Sequence, residues 1–197
     1  MKIVTTPMCE EILKMAGITD YIVNKYPDEE NADLAFVLSE TDTKMKSVKL
    51  KLNTFSQIQK SIITVFENVK RYSESNTEFK ASETQIKSFN EIIQSDIGYR
   101  WFDSPEKEQL RNENRKIKVK VYSNFLKDIL NDMGYTIVNK KPDFIVYPDY
   151  LENNVGDNLL NGVKSIKIPS HGDVPLNPLE RAIIRYNLLE KGLCMRP

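Results

Sequence analysis

Lys2-Ile-Val-Thr-Thr-Pro-Met-Cys-Glu-Glu-Ile-Leu-Lys-Met-Ala-Gly17 is written a second time in this chain. It returns, at a constant shift of 117, as Val119-Lys-Val-Tyr-Ser-Asn-Phe-Leu-Lys-Asp-Ile-Leu-Asn-Asp-Met-Gly134. Working outward, Ile22-Val-Asn-Lys25 recurs as Ile137-Val-Asn-Lys140, Ala32-Asp-Leu-Ala-Phe-Val-Leu38 matches Pro142-Asp-Phe-Ile-Val-Tyr-Pro148, and Ser47-Val-Lys-Leu50 matches Ser165-Ile-Lys-Ile168. Each copy closes on a helix with one apolar beat, Phe55, Ile58, Ile62 and Val65 against Leu179, Ala182, Tyr186 and Leu189. A repeat of this length means one structural unit built twice. Two similar lobes imply a cleft between them, a preferred place for a ligand.

One copy reads as an α/β unit. Lys2 to Thr5 is a short strand; Thr6 is placed to cap a helix, with Pro7 at its first position and Glu10 and Glu11 in its positively polarised first turn. Gly17 supplies the stop. Leu34 to Leu38 is nearly all apolar, as a strand buried on both faces should be. Val48, Leu50 and Leu52 alternate with lysines, which suits an edge strand. In the second copy Ser123 is a cap, Asn177-Pro178-Leu179-Glu180 opens the last helix, and Gly192 ends it. The expected fold is α/β: two similar small lobes over 1–72 and 117–197, with mostly parallel sheets, joined by a helical linker over 73–116.

The linker carries two helical signals, one from Ser82 with Ile86, Phe89, Ile92 and Ile93 on a stripe, the other from Ser104-Pro105-Glu106 to about Arg115. Between them lies the aromatic cluster Gly98-Tyr-Arg-Trp-Phe102. Arg100, Trp101 and Phe102 are either a staple to a lobe or a patch that docks a protein partner.

Composition excludes several classes. The 197 residues carry 28 basic and 28 acidic side chains, so the formal net charge is zero, against the phosphate neutralisation that non-specific nucleic-acid binding needs. No apolar run reaches the roughly 20 residues that span a bilayer, and no secretory pattern is visible at the start. Cys9 and Cys194 are too few for a disulfide scaffold. These features set the expectation of a cytoplasmic protein away from membranes. There is no Gly-rich dinucleotide fingerprint, no P-loop and no Cys-x-x-Cys pair.

In open α/β sheets ligands sit beyond the carboxyl ends of strands. Those ends hold Thr6, Met8 and Cys9 in one copy, and Ser123, Asn124, Asp149, Ser170 and His171 in the other. Thr6, Met8, Ser123, Asn124, Asp149 and Ser170 are therefore candidate cofactor contacts, and Cys9 and His171 candidate metal ligands. A cysteine at a helix start is biased toward thiolate, which ligates metals or attacks electrophiles. The alternative is a small buried hydrophobe, and the repeat counterpart Leu126 favours it. His171, in Pro169-Ser-His-Gly-Asp173, is either a ligand or acid/base group steadied by Asp173, or a loop residue bonding its own backbone. Asp33 and Asp143, each just before a buried strand, read as structural.

The strand leading to Thr5-Thr-Pro, the helix with Glu11-Ile-Leu and its Ala-Gly end, and the Asp-plus-apolar strand resemble the lobes of the helical-backbone metal receptors, which bind iron-siderophores, haem and corrinoids. The nitrogenase-type cofactor proteins share that layout. Asn177-Pro-Leu-Glu-Arg-Ala-Ile-Ile-Arg-Tyr and the Gly192-Leu-Cys-Met-Arg-Pro197 tail are similar to methanogen-specific marker proteins. The resemblance implies a metal-containing cofactor, an iron-sulfur cluster or a metal-tetrapyrrole. With the catalytic fingerprints missing, the expected function is a non-enzymatic cytoplasmic accessory protein that holds such a cofactor or helps mature a larger metalloenzyme complex. Two alternatives stand beside it: a small-molecule enzyme using Cys9 and His171, and a protein-interaction subunit.

Overall fold

The computed structural model describes residues 1–73, 96–102, 104–152, 162–170, 172 and 174–193. Two four-stranded, wholly parallel sheets are present. The first comprises β1 (Ile3–Thr5), β2 (Ile22–Val23), β3 (Leu34–Leu38) and β4 (Ser47–Leu50), in the order β2-β1-β3-β4. The second comprises β5 (Lys118–Val121), β6 (Thr136–Ile137), β7 (Phe144–Pro148) and β8 (Lys164–Ile168), in the order β6-β5-β7-β8. The strand order is the same, so the duplication is structural.

The helices are α1 (Glu10–Met15), α2 (Phe55–Ser73), α3 (Asp96–Phe102), α4 (Lys107–Asn114), α5 (Asn124–Asp132) and α6 (Pro178–Leu193). The chain divides into two compact units. One holds β1–β4 and takes in Leu176–Leu179; the other starts at Ser95 and holds β5–β8, with α6 from Glu180 onward. The stripe of linker residues from Ile86 to Ile93 lies outside the described residues.

Burial follows the sequence logic. The inner strands β3 and β7 are the most apolar and are buried along almost their whole length, as strands covered on both faces must be. The edge strands β4 and β8 alternate and carry lysines outward, which blunts their open hydrogen-bonding edge. The shared apolar beat is buried in both α2 and α6.

Hydrogen bonds define the repeat more finely than letters do. The Lys2 N–H donates to the Asp33 carboxylate at 2.7 Å and the Asp33 N–H returns to the Lys2 carbonyl at 2.8 Å. Lys118 and Asp143 make the same two bonds. Lys2 thus stands with Lys118, and Ile3, paired with Leu34, stands with Val119, paired with Phe144. The glycines keep the original spacing: Gly17 and Gly134 both have positive φ, and each ends its helix in the same bond pair. The shift of 117 therefore holds for the helices and not for β1 and β5, because the second copy has one more residue before its helix. The shared Ile-Val-Asn-Lys is also one position out of register, since Val119 pairs with Ile137 whereas Val4, not Ile3, pairs with Ile22.

Three local expectations need correction. Helix α1 starts at Glu10, with Cys9 at the N-cap position, because Pro7 to Cys9 are used in a turn closed by the Cys9 N–H on the Thr6 carbonyl. Ser123 stands at the N-cap of α5 without a side-chain capping bond. Gly192 lies inside α6, where a Cβ would come within 2.6 Å of Ile166 Cδ1, so this glycine permits close approach to β8.

Candidate functional site

In each sheet the chain moves outward from the first strand to one edge and then crosses to the other side. The reversal falls between β1 and β3, and between β5 and β7. Their carboxyl ends flank the crevice where open α/β sheets take ligands. A cavity of about 350 Å³ lined by Met1, Lys2, Ile3, Asp20, Tyr21 and Ile22 opens at the opposite, amino end of β1 and β2.

At the carboxyl end of β1, Thr5 is satisfied internally, its hydroxyl donating to the Phe36 carbonyl at 2.9 Å. Thr6 is 7% exposed and its hydroxyl has no hydrogen-bond partner among the described residues. A buried polar group without a partner is costly, and such groups concentrate where something else supplies the bond. Met8 is partly buried in the turn that follows. Cys9 is wholly enclosed in the core of the first unit.

The second unit repeats the signal. The hydroxyls of Tyr122 and Ser123, directly after β5, are buried without a partner among the described residues. Asn124 opens α5 and is exposed. At the end of β7, the Asp149 carboxylate accepts the Ser170 N–H at 3.1 Å and the Ser170 hydroxyl. Ser170 belongs to the loop leaving β8, so this pair ties two neighbouring strand ends together. His171 lies outside the described residues, as does Cys194.

Two residues that sequence reading passed over complete this end of the sheet. Arg181 and Arg185, one turn apart on α6, are 2% and 4% exposed. Arg185 donates from Nε to the Pro169 carbonyl at 3.1 Å and from Nη2 to the Ser170 carbonyl, and its guanidinium lies 4.6 Å from the centre of the Phe125 ring. Arg181 donates to the Pro175 carbonyl at 3.0 Å. Burial, and then the like charge of Arg181, push the Arg185 pKa down to about 9, with Asp149 opposing them. Arginines at i and i+4 beside the apolar beat were the available signal, because the first copy has Gln57 and Ser61 at the matching places.

The aromatic cluster of the linker is helical. Trp101 is 1% exposed, donates its ring N–H to Glu190 at 2.6 Å and packs against Tyr186 with ring centres 6.0 Å apart. Arg100 makes two bonds to the same carboxylate. Phe102 is partly buried. These bonds fasten α3 to α6 within the second unit.

No protein-family model matches the sequence, and no curated protein matches it. The fold does have counterparts. The laminin-binding protein Lbp of Streptococcus pyogenes is 12% identical, with 98% of this chain and 99% of that one covered at a TM-score of 0.58. The metal-dependent lipoprotein YcdH of Bacillus subtilis is 12% identical, with 98% and 96% covered at 0.54. A mutant of the Mn-bound periplasmic metal binding protein from candidatus Liberibacter asiaticus is 9% identical, with 97% and 99% covered at 0.58. The fold is shared with these proteins along nearly the whole of each chain.

These matches correct the functional expectation. They are named as metal-binding, laminin-binding and lipoprotein molecules, not as cytoplasmic factors that mature a metalloenzyme. A periplasmic protein and a lipoprotein among them also overturn the expected cytoplasmic setting, and conflict with the expectation of work away from membranes. The similarity to methanogen marker proteins gains nothing from them.

Among the described residues the donor set does not fit a bare first-row metal ion. Such sites gather several imidazole, thiolate or carboxylate ligands. The sequence has one histidine, and among the described residues no group of three His, Cys, Asp or Glu is placed to hold a metal. Two cysteines also fall short of the four thiolates of an ordinary iron-sulfur site.

Proposed function

We propose that this chain is a solute-binding receptor of the two-lobed metal-receptor type, working outside the cytoplasmic membrane. It captures a small solute at the carboxyl ends of its strands and passes it to a membrane-associated transport partner. The observation that carries this reading is the pair of sheets with identical strand order, matched along nearly the whole chain by a laminin-binding protein and a periplasmic metal binding protein. The partnerless hydroxyls of Thr6, Tyr122 and Ser123 support it, because they cluster at the strand ends where this topology takes ligands. Thr6, Ser123, Asp149 and Ser170 are the contacts we assign, and the solute is a metal complex or another small polar molecule in preference to a naked ion.

The test is thermal unfolding of the full chain against Mn²⁺, Zn²⁺, Ni²⁺, ferric citrate and small organic anions. A solute at about 100 times its Kd adds about 2.7 kcal/mol. For a chain of this size that raises Tm by about 5–10 °C. A saturable rise with one of these solutes supports the receptor; unchanged Tm with all of them contradicts it.

A further inference from the structure

We propose that Arg185, with Arg181 one turn before it, forms an oxyanion subsite, for a carboxylate or phosphate group of the solute, at the carboxyl ends of β7 and β8. This rests on the receptor reading above and names the chemical class of what the second unit grips.

The first copy provides the internal control. Leu50 and Ile168 occupy the same register, paired with Leu38 and Pro148, so Lys51 and Pro169 stand at one place in the two units. In the first unit the Lys51 carbonyl accepts the Ser61 hydroxyl at 3.0 Å. In the second unit the Pro169 carbonyl accepts Nε of Arg185 at 3.1 Å. One small hydroxyl satisfies the helix-to-strand bond that this fold requires. The guanidinium exceeds the need by a full buried charge and several N–H donors.

A buried charge is expensive unless it is paired. Its bonds are to two neutral carbonyls, and among the described residues the carboxylate acting on it is Asp149. Asp149 already accepts both the N–H and the hydroxyl of Ser170. Arg181 adds a like charge one turn away. The planar guanidinium offers five donors in a fork suited to oxyanions, and its Nη1 group has no engagement among the described residues. The Phe125 face holds the fork in place from the side. Ser123 and Tyr122, at the end of the adjacent strand β5, carry hydroxyls with no partner among the described residues, suited to an anion's other oxygens.

The experiment compares the full chain with the double variant Arg181→Gln, Arg185→Ser, which installs the first copy's own residues at the matching positions. Thermal unfolding is followed at pH 7 with sodium phosphate or citrate, against chloride at equal ionic strength. The wild type shows a saturable Tm rise, and the double variant binds about tenfold or more weakly, as loss of charge-assisted bonds requires. A phosphate preference assigns a phosphoryl group and a citrate preference a carboxylate. Equal responses in wild type and variant overturn the subsite, as does a wild type indifferent to both anions up to about 10 mM, a Kd that would leave under about 3 kcal/mol of binding. A response to divalent cations alone removes the subsite and leaves the receptor standing. If the double variant does not fold, Arg181→Gln alone carries the comparison.

Discussion

The Asp143 carboxylate accepts the Lys118 N–H at 2.8 Å while the Asp143 N–H returns to the Lys118 carbonyl at the same distance, and Asp33 makes the identical pair with Lys2. Each aspartate locks the entry of a central strand to its neighbour and fixes which residues emerge at the far end. An acceptor in the side chain and a donor in the backbone are both used in holding that geometry. Asp143→Ala is expected to cost about 1 kcal/mol in urea unfolding, and Asp33→Ala a similar amount. Asparagine keeps an acceptor and should recover most of it.

Gly134 and Gly17 end equivalent helices with φ of 87° and 79°. At Gly134 a Cβ would also meet the Arg111 backbone at 2.7 Å. Gly17→Ala should therefore cost about 1–2 kcal/mol from backbone conformation. Gly134→Ala should cost about 1–3 kcal/mol more, from overpacking against α4. Equilibrium denaturation of the two variants side by side measures the difference.

Asp132 joins three helices of the second unit, accepting the Tyr186 hydroxyl at 2.6 Å and Lys107 at 3.2 Å. Burial, then the Asp132 charge and hydrogen bond, hold the Tyr186 pKa well above 10.0. An acid whose folded pKa is raised contributes stability that is complete below the unfolded value and declines as pH rises past it. Wild-type stability should therefore fall above pH 10, where the unfolded tyrosine ionises. Tyr186→Phe should lose about 1–2 kcal/mol at neutral pH and show a shallower alkaline decline. Chemical denaturation at stepped pH reads both effects.

Trp101 is the only tryptophan of the chain, and Glu190 accepts its ring N–H and pairs with Arg100. Glu190→Ala strands the indole N–H inside the protein. The expected cost is about 1–3 kcal/mol, with a shift of Trp101 emission that Arg100→Ala does not reproduce. Fluorescence-detected unfolding separates the two variants.

The architecture was legible because duplication supplied each weak strand with an independent second reading. Leu34 to Leu38 and Phe144 to Pro148 announced central strands through unbroken apolar character, and lysines alternating in β4 announced an edge. Register was not legible at β2 and β6, where an identical tetrapeptide suggested a match that hydrogen bonding places one residue away. Trp101 was ambiguous because a buried staple and an exposed anchor use the same residue type. The strand-end candidates Thr6, Ser123, Asp149 and Ser170 followed from topology. Arg181 and Arg185 did not, since a charged residue beside an apolar stripe ordinarily points to solvent, and only coordinates reveal one that turns inward. The cellular setting was misread from composition, which carries the physics of folding and not an address.

The most direct test of the receptor account is hydrogen–deuterium exchange on the full chain, free and saturated with whichever solute raises its Tm. The account predicts slowed exchange in the peptides spanning 5–9, 121–124, 147–150 and 168–170, at the carboxyl ends of β1, β5, β7 and β8. Protection confined to the amino-end cavity around Met1, Asp20 and Tyr21, with those four stretches unchanged, would contradict it.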